Sequence, residues 1–172
     1  MDARRDRWAQ AACLVVVLLP MFVFAISRLD SNLIGYESVD HYGTQWFYWF
    51  ALRHLQIGES AGHSNLFFYP WGKDIYGHTG ANLLDAYLEV PFRMVLGPTL
   101  GYNLFVLVGI LAHGLAFYRF CQKFAEDRVA LLAASLCFSF SPYVLYELVE
   151  GRPTQAILLF PVLFIEIGRA HV

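Results

Sequence analysis

Residues 102–120 read YNLFVLVGILAHGLAFYRF, an apolar run whose one full charge, Arg119, comes near its end. Extended back to Thr99, the run reaches the roughly 20 residues that carry a helix across a bilayer. Gly109, Ala112 and Ala116 recur every three to four positions, a stripe of small side chains along which a second helix can approach closely. His113 lies on that stripe. An ionisable group at such depth is a functional candidate, and a neutral histidine hydrogen-bonded between helices is the competing reading.

Outward from this run the same pattern repeats. Residues 8–27 are apolar apart from Gln10, with Pro20 as an expected kink that membrane helices tolerate. A signal peptide cut near Ser27 is the alternative, which the long apolar core and the spans that follow disfavour. A third span covers residues 129–146 and ends near Pro142. A fourth starts after Pro153, a residue suited to a first helical turn, and covers residues 155–165, too short to cross a bilayer. The last residues, EIGRAHV (166–172), resemble a translated sequencing-adapter read-through. On that reading the chain is the N-terminal piece of a longer protein, inactive alone, and Arg169 and His171 belong to no site.

Composition agrees with this pattern. The chain has 172 residues, 58% hydrophobic and 15% charged, whereas soluble domains carry about a quarter charged residues. The expected fold class is therefore all-α, a polytopic membrane protein built as a helical bundle. With a net charge of -2 and no basic cluster, nothing points to nucleic acid. Cys13, Cys121 and Cys137 all lie in apolar runs, so no disulfide framework is visible. The outer-loop histidines (His41, His54, His63, His78) form no HExxH or HxxxH pair, and no metal site is expected. Neither a Walker-type nor a GxGxxG motif occurs.

Basic residues set the orientation. Arg4, Arg5 and Arg7 precede the first span, and Arg119, Lys123 and Arg128 crowd the turn between the second and third. The N-terminus is expected to be cytoplasmic, with residues 28–98 and the short loop around residues 147–154 outside the cell inner membrane. In the long loop, residues 39–56 (VDHYGTQWFYWFALRHLQ) read as an aromatic helix lying in the interface. Residues 58–80 are irregular, with a turn at Tyr69–Gly72. Residues 81–96 read as an amphipathic helix with Leu83, Leu84, Tyr87, Leu88 and Pro91 on one side, broken at Gly97 and Pro98.

The polar candidates for chemistry fall in these outer loops. In GYESVDHY (35–42), Glu37 and Asp40 are three apart and share a helical face if the segment coils; His41 follows directly. A carboxylate at a low-dielectric boundary can serve as a general base toward an alcohol, although acids also follow membrane helices simply because the chain has reached water. Lys73 and Asp74 could meet an anionic head group or form a solvated pair. Asn82, Asp85 and Glu89 recur at helical spacing and read as a wet helix face, with binding of a hydroxylated acceptor as the alternative. Arg152 suits bidentate phosphate binding or plain loop capping.

These features together resemble the N-terminal part of the GT-C superfamily, membrane glycosyltransferases that use polyprenyl-phosphate-linked sugars. The resemblance runs from about residue 7 to residue 165. It is carried by DHYGTQWF (40–47), FYPWGKD (68–74) and EGRPTQ (150–155), which look like segments of bacterial members. It implies Asp40 as the catalytic base on an acceptor hydroxyl, with Glu37, His41, Lys73, Asp74, Arg152 and Gln155 binding substrate. The partners implied are a polyprenyl-phosphate sugar and the lipid bilayer. The acids read Glu-X-X-Asp rather than the tighter Asp-X-Asp of oligosaccharyltransferase subunits, so a divalent cation is left open as a cofactor. A transporter or flippase for lipid-linked saccharides is the alternative function, and a non-catalytic membrane scaffold a third.

Overall fold

A computed structural model of the protein describes residues 28–77 and 82–170, with side chains as far as residue 168. The expected first span (residues 8–27), Cys13, His78 and His171 lie outside the described residues. Among the described residues the chain is mostly helical: α1 (Val39–Ile57), α2 (Leu83–Leu96), α3 (Pro98–Cys121), α4 (Arg128–Ser139), α5 (Pro142–Val149), α6 (Pro153–Ala156) and α7 (Leu159–Ala170). The expected all-α class needs one amendment. Two short antiparallel strands, β1 (His63–Ser64) and β2 (Lys73–Asp74), pair within the loop after α1.

Local chemistry explains the boundaries. Ser38 caps α1 by accepting from the His41 N–H at 3.2 Å, and Gly58, at φ 69°, closes the helix in the left-handed region. Gly97 adopts φ 81°, which turns the chain from α2 into α3, and Pro98 then opens α3 where its missing N–H costs nothing. Asp127 caps α4 through the N–H groups of Val129 and Ala130.

Two expected helices prove discontinuous. The third span breaks at Phe140 and Ser141, because Pro142 cannot continue the hydrogen-bond ladder and Ser141 caps the new helix through Val144 N–H. The fourth breaks at Ile157 and Leu158. Leu158 gives its N–H to His113 Nδ1 at 3.1 Å instead of to a preceding carbonyl, so α6 and α7 are separate. This bond makes His113 the neutral inter-element acceptor that its place on α3 suggested. The small-residue stripe works as expected only in part: Gly109 lies under Ile157, whereas the close helix–helix approach uses Gly114, whose carbonyl accepts from Ser135 of α4 at 2.7 Å.

The main core joins α1, α2, α3 and α5 through Tyr48, Val90, Tyr102, Phe105, Val106 and Val144. A smaller core seats Ile75, just after β2, with Phe47 and Phe50 on another face of α1. Two helical stretches, Pro98–Cys121 and Arg128–Val149, are long and apolar enough to cross a membrane, and only 39% and 22% of their apolar windows are buried. A soluble protein's core helix would be mostly buried; this much open apolar surface favours membrane association.

Helix α2 reverses the expected wet face. Asp85, Glu89 and Arg93 are buried against the neighbouring helices, while Leu84, Leu88, Met94 and Val95 point outward. The polar side faces in because buried partners exist there, which periodicity alone cannot reveal.

Candidate functional site

Asp40 stands in the first turn of α1, and α1 is anchored at that end by the loop between α5 and α6. Ser38 Oγ, besides capping the helix, donates to the Glu150 carbonyl at 2.9 Å. Tyr36 N–H donates to the Val149 carbonyl. Gly151 lies flat against the His41 ring: its φ of 70° suits glycine, and a Cβ there would strike the imidazole. Gly35, at φ 124°, packs on the Leu148 carbonyl and Gly151, where a Cβ would lie 3.1 and 3.2 Å away.

Arg152 ties the two segments together. Its Nε lies 2.9 Å from Asp40 Oδ2, its Nη1 3.1 Å from Glu147 Oε2, and its Nη2 3.5 Å from Glu150 Oε2. The guanidinium also lies over the Tyr146 ring, 5.7 Å from its centroid. One cation thus sits among three carboxylates. Among the described residues no cluster of His, Cys, Asp and Glu fits metal ligation. The Asp40 side chain is 57% exposed.

Beside this cluster opens a cleft of about 430 Å³, lined by Asn32, Glu37, His41, Tyr42, Gln45 and Thr99 among others. Glu37 reaches it from extended chain: the helix begins only at Val39, so Glu37 and Asp40 do not share a helical face. His41 is buried, and its Nδ1 lies 3.1 Å from the Tyr36 carbonyl. Behind the cleft, Arg93 Nη2 donates to Gln45 Oε1 at 3.2 Å, while Arg93 Nε donates to both Glu89 oxygens at 3.0 and 2.9 Å. Burial raises the Glu89 carboxyl, against the pull of Arg93.

The other sequence candidates lie elsewhere. Lys73 sits over Phe67 and Phe68, at 5.2 and 5.7 Å from the ring centroids, and Asp74 caps the backbone of Tyr76 and Gly77. Both are engaged within the β1–β2 hairpin, apart from the Asp40 cluster. Gln155 lines a separate cavity of about 460 Å³ with Asp85, Tyr143 and Thr154. Glu147, Glu150, Gln45 and the Glu89–Arg93 pair were not singled out by sequence spacing. Glu89 and Arg93 alone carried a usable signal, the i,i+4 placing of opposite charges.

Burial raises the Asp85 carboxyl above its ordinary range, and the Thr154 hydroxyl offsets part of that. The folded state therefore keeps a proton that the unfolded chain has lost, and stability falls as pH rises through the window above the ordinary carboxylate pKa. Asp85→Asn removes this slope. Its melting temperature relative to the unsubstituted chain is expected to climb between about pH 4 and about pH 7, as measured by circular dichroism in detergent. A pH-independent difference would refute the assignment. Compared with family models, curated proteins and solved structures, the chain has no match.

Proposed function

We propose that this chain is part of a GT-C-like, multi-pass membrane glycosyltransferase of the cell inner membrane, with its N-terminus cytoplasmic and residues 28–98 outside. The observation that carries the reading is the 2.9 Å contact between Asp40 and Arg152. It joins two of the segments on which the family resemblance rests, the first-loop acid and the EGRPTQ loop, at one end of the bundle. The apolar outer faces of α2, α3 and α4–α5 suit a lipid surround, and exposed Phe68, Tyr69 and Trp71 on the hairpin suit its interface.

In this reading Arg152 holds Asp40 Oδ2, and the exposed side chain offers Oδ1 to an acceptor hydroxyl. The hydroxyl proton passes to Asp40 while the oxygen bonds to the anomeric carbon of the donor. The bond from that carbon to phosphate breaks, its electron pair leaves with polyprenyl phosphate, and configuration inverts. Surrounded by carboxylates, Arg152 acts as a positioning residue for Asp40. Lys73, among exposed aromatics, is the cation placed to meet a lipid phosphate.

Transfer from a polyprenyl-phosphate sugar, measured in membranes carrying the complete open reading frame, tests the reading. Asp40→Asn is expected to lower transfer at least about a hundredfold, the usual worth of a general base, with insertion unchanged. Undiminished transfer would overturn the assignment.

A further inference from the structure

The cavity beside Gln155 holds about 460 Å³, within the range of small-molecule sites, about 300–1,000 Å³. It lies between the first turn of α2, the start of α5 and the break between α6 and α7. That break is fixed from behind. Leu158 gives its N–H to His113 Nδ1, and Ile157 packs on Gly109 so closely that a Cβ there would strike it. Both residues line the cavity, so α3 holds this wall in place.

The lining is amphipathic. Leu83, Ile157, Leu158 and Pro161 give apolar walls. Asn82 and Gln155 bring amides, and the Thr154 hydroxyl stands beside the Asp85 carboxyl. Gln155 is exposed, and Asn82 gives its own helix no side-chain cap. Apolar walls with a few polar groups suit a ligand of the same mixed character. Charge narrows it further. Asp85 is the one acid in the lining, and no lysine, arginine or histidine joins it. A phosphate or carboxylate would meet that acid with no counter-charge to offset its desolvation. Burial also favours the neutral form of Asp85, which weakens its pull on a cation.

The rim shows where the ligand comes from. Leu84, Tyr143 and Phe160 line it and are 58%, 50% and 47% exposed. Tyr143 belongs to the Arg128–Val149 stretch, which is long and apolar enough to cross a membrane. The mouth therefore opens onto a face suited to lipid.

We infer that this cavity binds one neutral acyl lipid with a hydroxylated head. The chain packs on Leu83, Ile157 and Phe160, and the head hydroxyls pair with the Gln155 and Asn82 amides. Lacking charge, this ligand differs from a polyprenyl-phosphate donor. The inference goes beyond the glycosyltransferase reading: it concerns binding, and holds whether or not Asp40 supports transfer.

Native mass spectrometry of the full chain, released from detergent micelles, tests this with three probes of equal chain length: 1-monooleoylglycerol, oleoyl lysophosphatidate and oleylamine. Monooleoylglycerol is expected to add as a single saturable copy, and each charged probe to bind at least about tenfold more weakly. Two variants change exposed positions, and circular dichroism checks that both keep their helical content. Gln155→Leu removes an amide and should weaken the monooleoylglycerol complex about tenfold, the worth of one hydrogen bond. Leu84→Lys sets a cation at the rim and should strengthen lysophosphatidate binding about fivefold. The inference is overturned if uptake does not saturate at a single copy, if either charged probe binds as tightly as the neutral one, or if neither variant departs from the unsubstituted chain. Transfer by Asp40→Asn reports separately on the glycosyltransferase reading.

Discussion

Replacing Asn103 by leucine is expected to lower the unfolding free energy by about 3–5 kcal/mol, because three backbone groups lose their partner at once. Asn103 is fully buried in α3. Its Oδ1 accepts from the Ile34 N–H at 2.8 Å, and its Nδ2 donates to the Leu29 and Asn32 carbonyls at 2.7 Å each. Both ends of the amide are thus used, and the segment that leads into the Asp40 cluster is pinned to the bundle by one side chain. Leucine keeps the branched shape and is somewhat bulkier, so no cavity is left and the loss reads the missing hydrogen bonds plus some crowding. Asn103→Asp should be at least as damaging, since it turns two donated bonds into oxygen–oxygen contacts with carbonyls. Thermal or denaturant unfolding in detergent, followed by circular dichroism, gives the number. A loss below about 1 kcal/mol would mean that water or a side-chain shift replaces these bonds, and that the amide is no anchor.

The second large effect concerns the buried pair behind the cleft. Arg93→Met is expected to cost about 3–5 kcal/mol, the loss seen when one partner of a buried pair is removed. It leaves the Glu89 carboxylate without its two bonds and Gln45 Oε1 without its donor. The double variant Glu89→Met with Arg93→Met removes both charges and should recover most of that stability. Acidity supplies a further check. The Glu89 carboxyl is already raised by burial, and losing Arg93 removes the influence that opposed the rise. The folded state then binds a proton that the unfolded state lacks, so the variant's stability declines as pH rises through the window above the ordinary carboxylate pKa. The deficit of Arg93→Met should therefore be smaller at about pH 4 than at about pH 7. A double variant as unstable as the single one would show that packing, not the pair, dominates here.

Much of the helical framework was legible along the chain because its signals are local. The α3 run is apolar over most of its length and opens with Pro98, just after Gly97. The aromatic helix α1 starts at Val39 as read, and Pro153 opens a helix, whereas Pro142, read as the end of the third span, begins a new one. Capping, proline placement and long apolar runs depend on neighbours within a few residues, so they survive without tertiary context.

The failures share a cause too. Asp85 and Glu89 looked like a wet face because polar residues at helical spacing usually meet water; here Arg93, Gln45 and Thr154 give that face partners inside the bundle. The fourth helix looked continuous because nothing near Leu158 shows that its N–H is taken by His113, 45 positions earlier.

By itself the sequence determined a mostly helical, strongly apolar chain, with Asp40 and His41 at the start of its aromatic helix and Arg152 in a short loop. Only the tertiary structure decided which of those groups meet. Asp40 and Arg152 are far apart in the chain, and their 2.9 Å contact exists because Gly35 and Gly151 let two backbone segments close around the His41 ring. The same packing sets His41 Nδ1 against the Tyr36 carbonyl and Gln45 Oε1 against Arg93. Hydrogen-bond complementarity of that kind depends on three-dimensional direction, and direction is what a residue order does not contain.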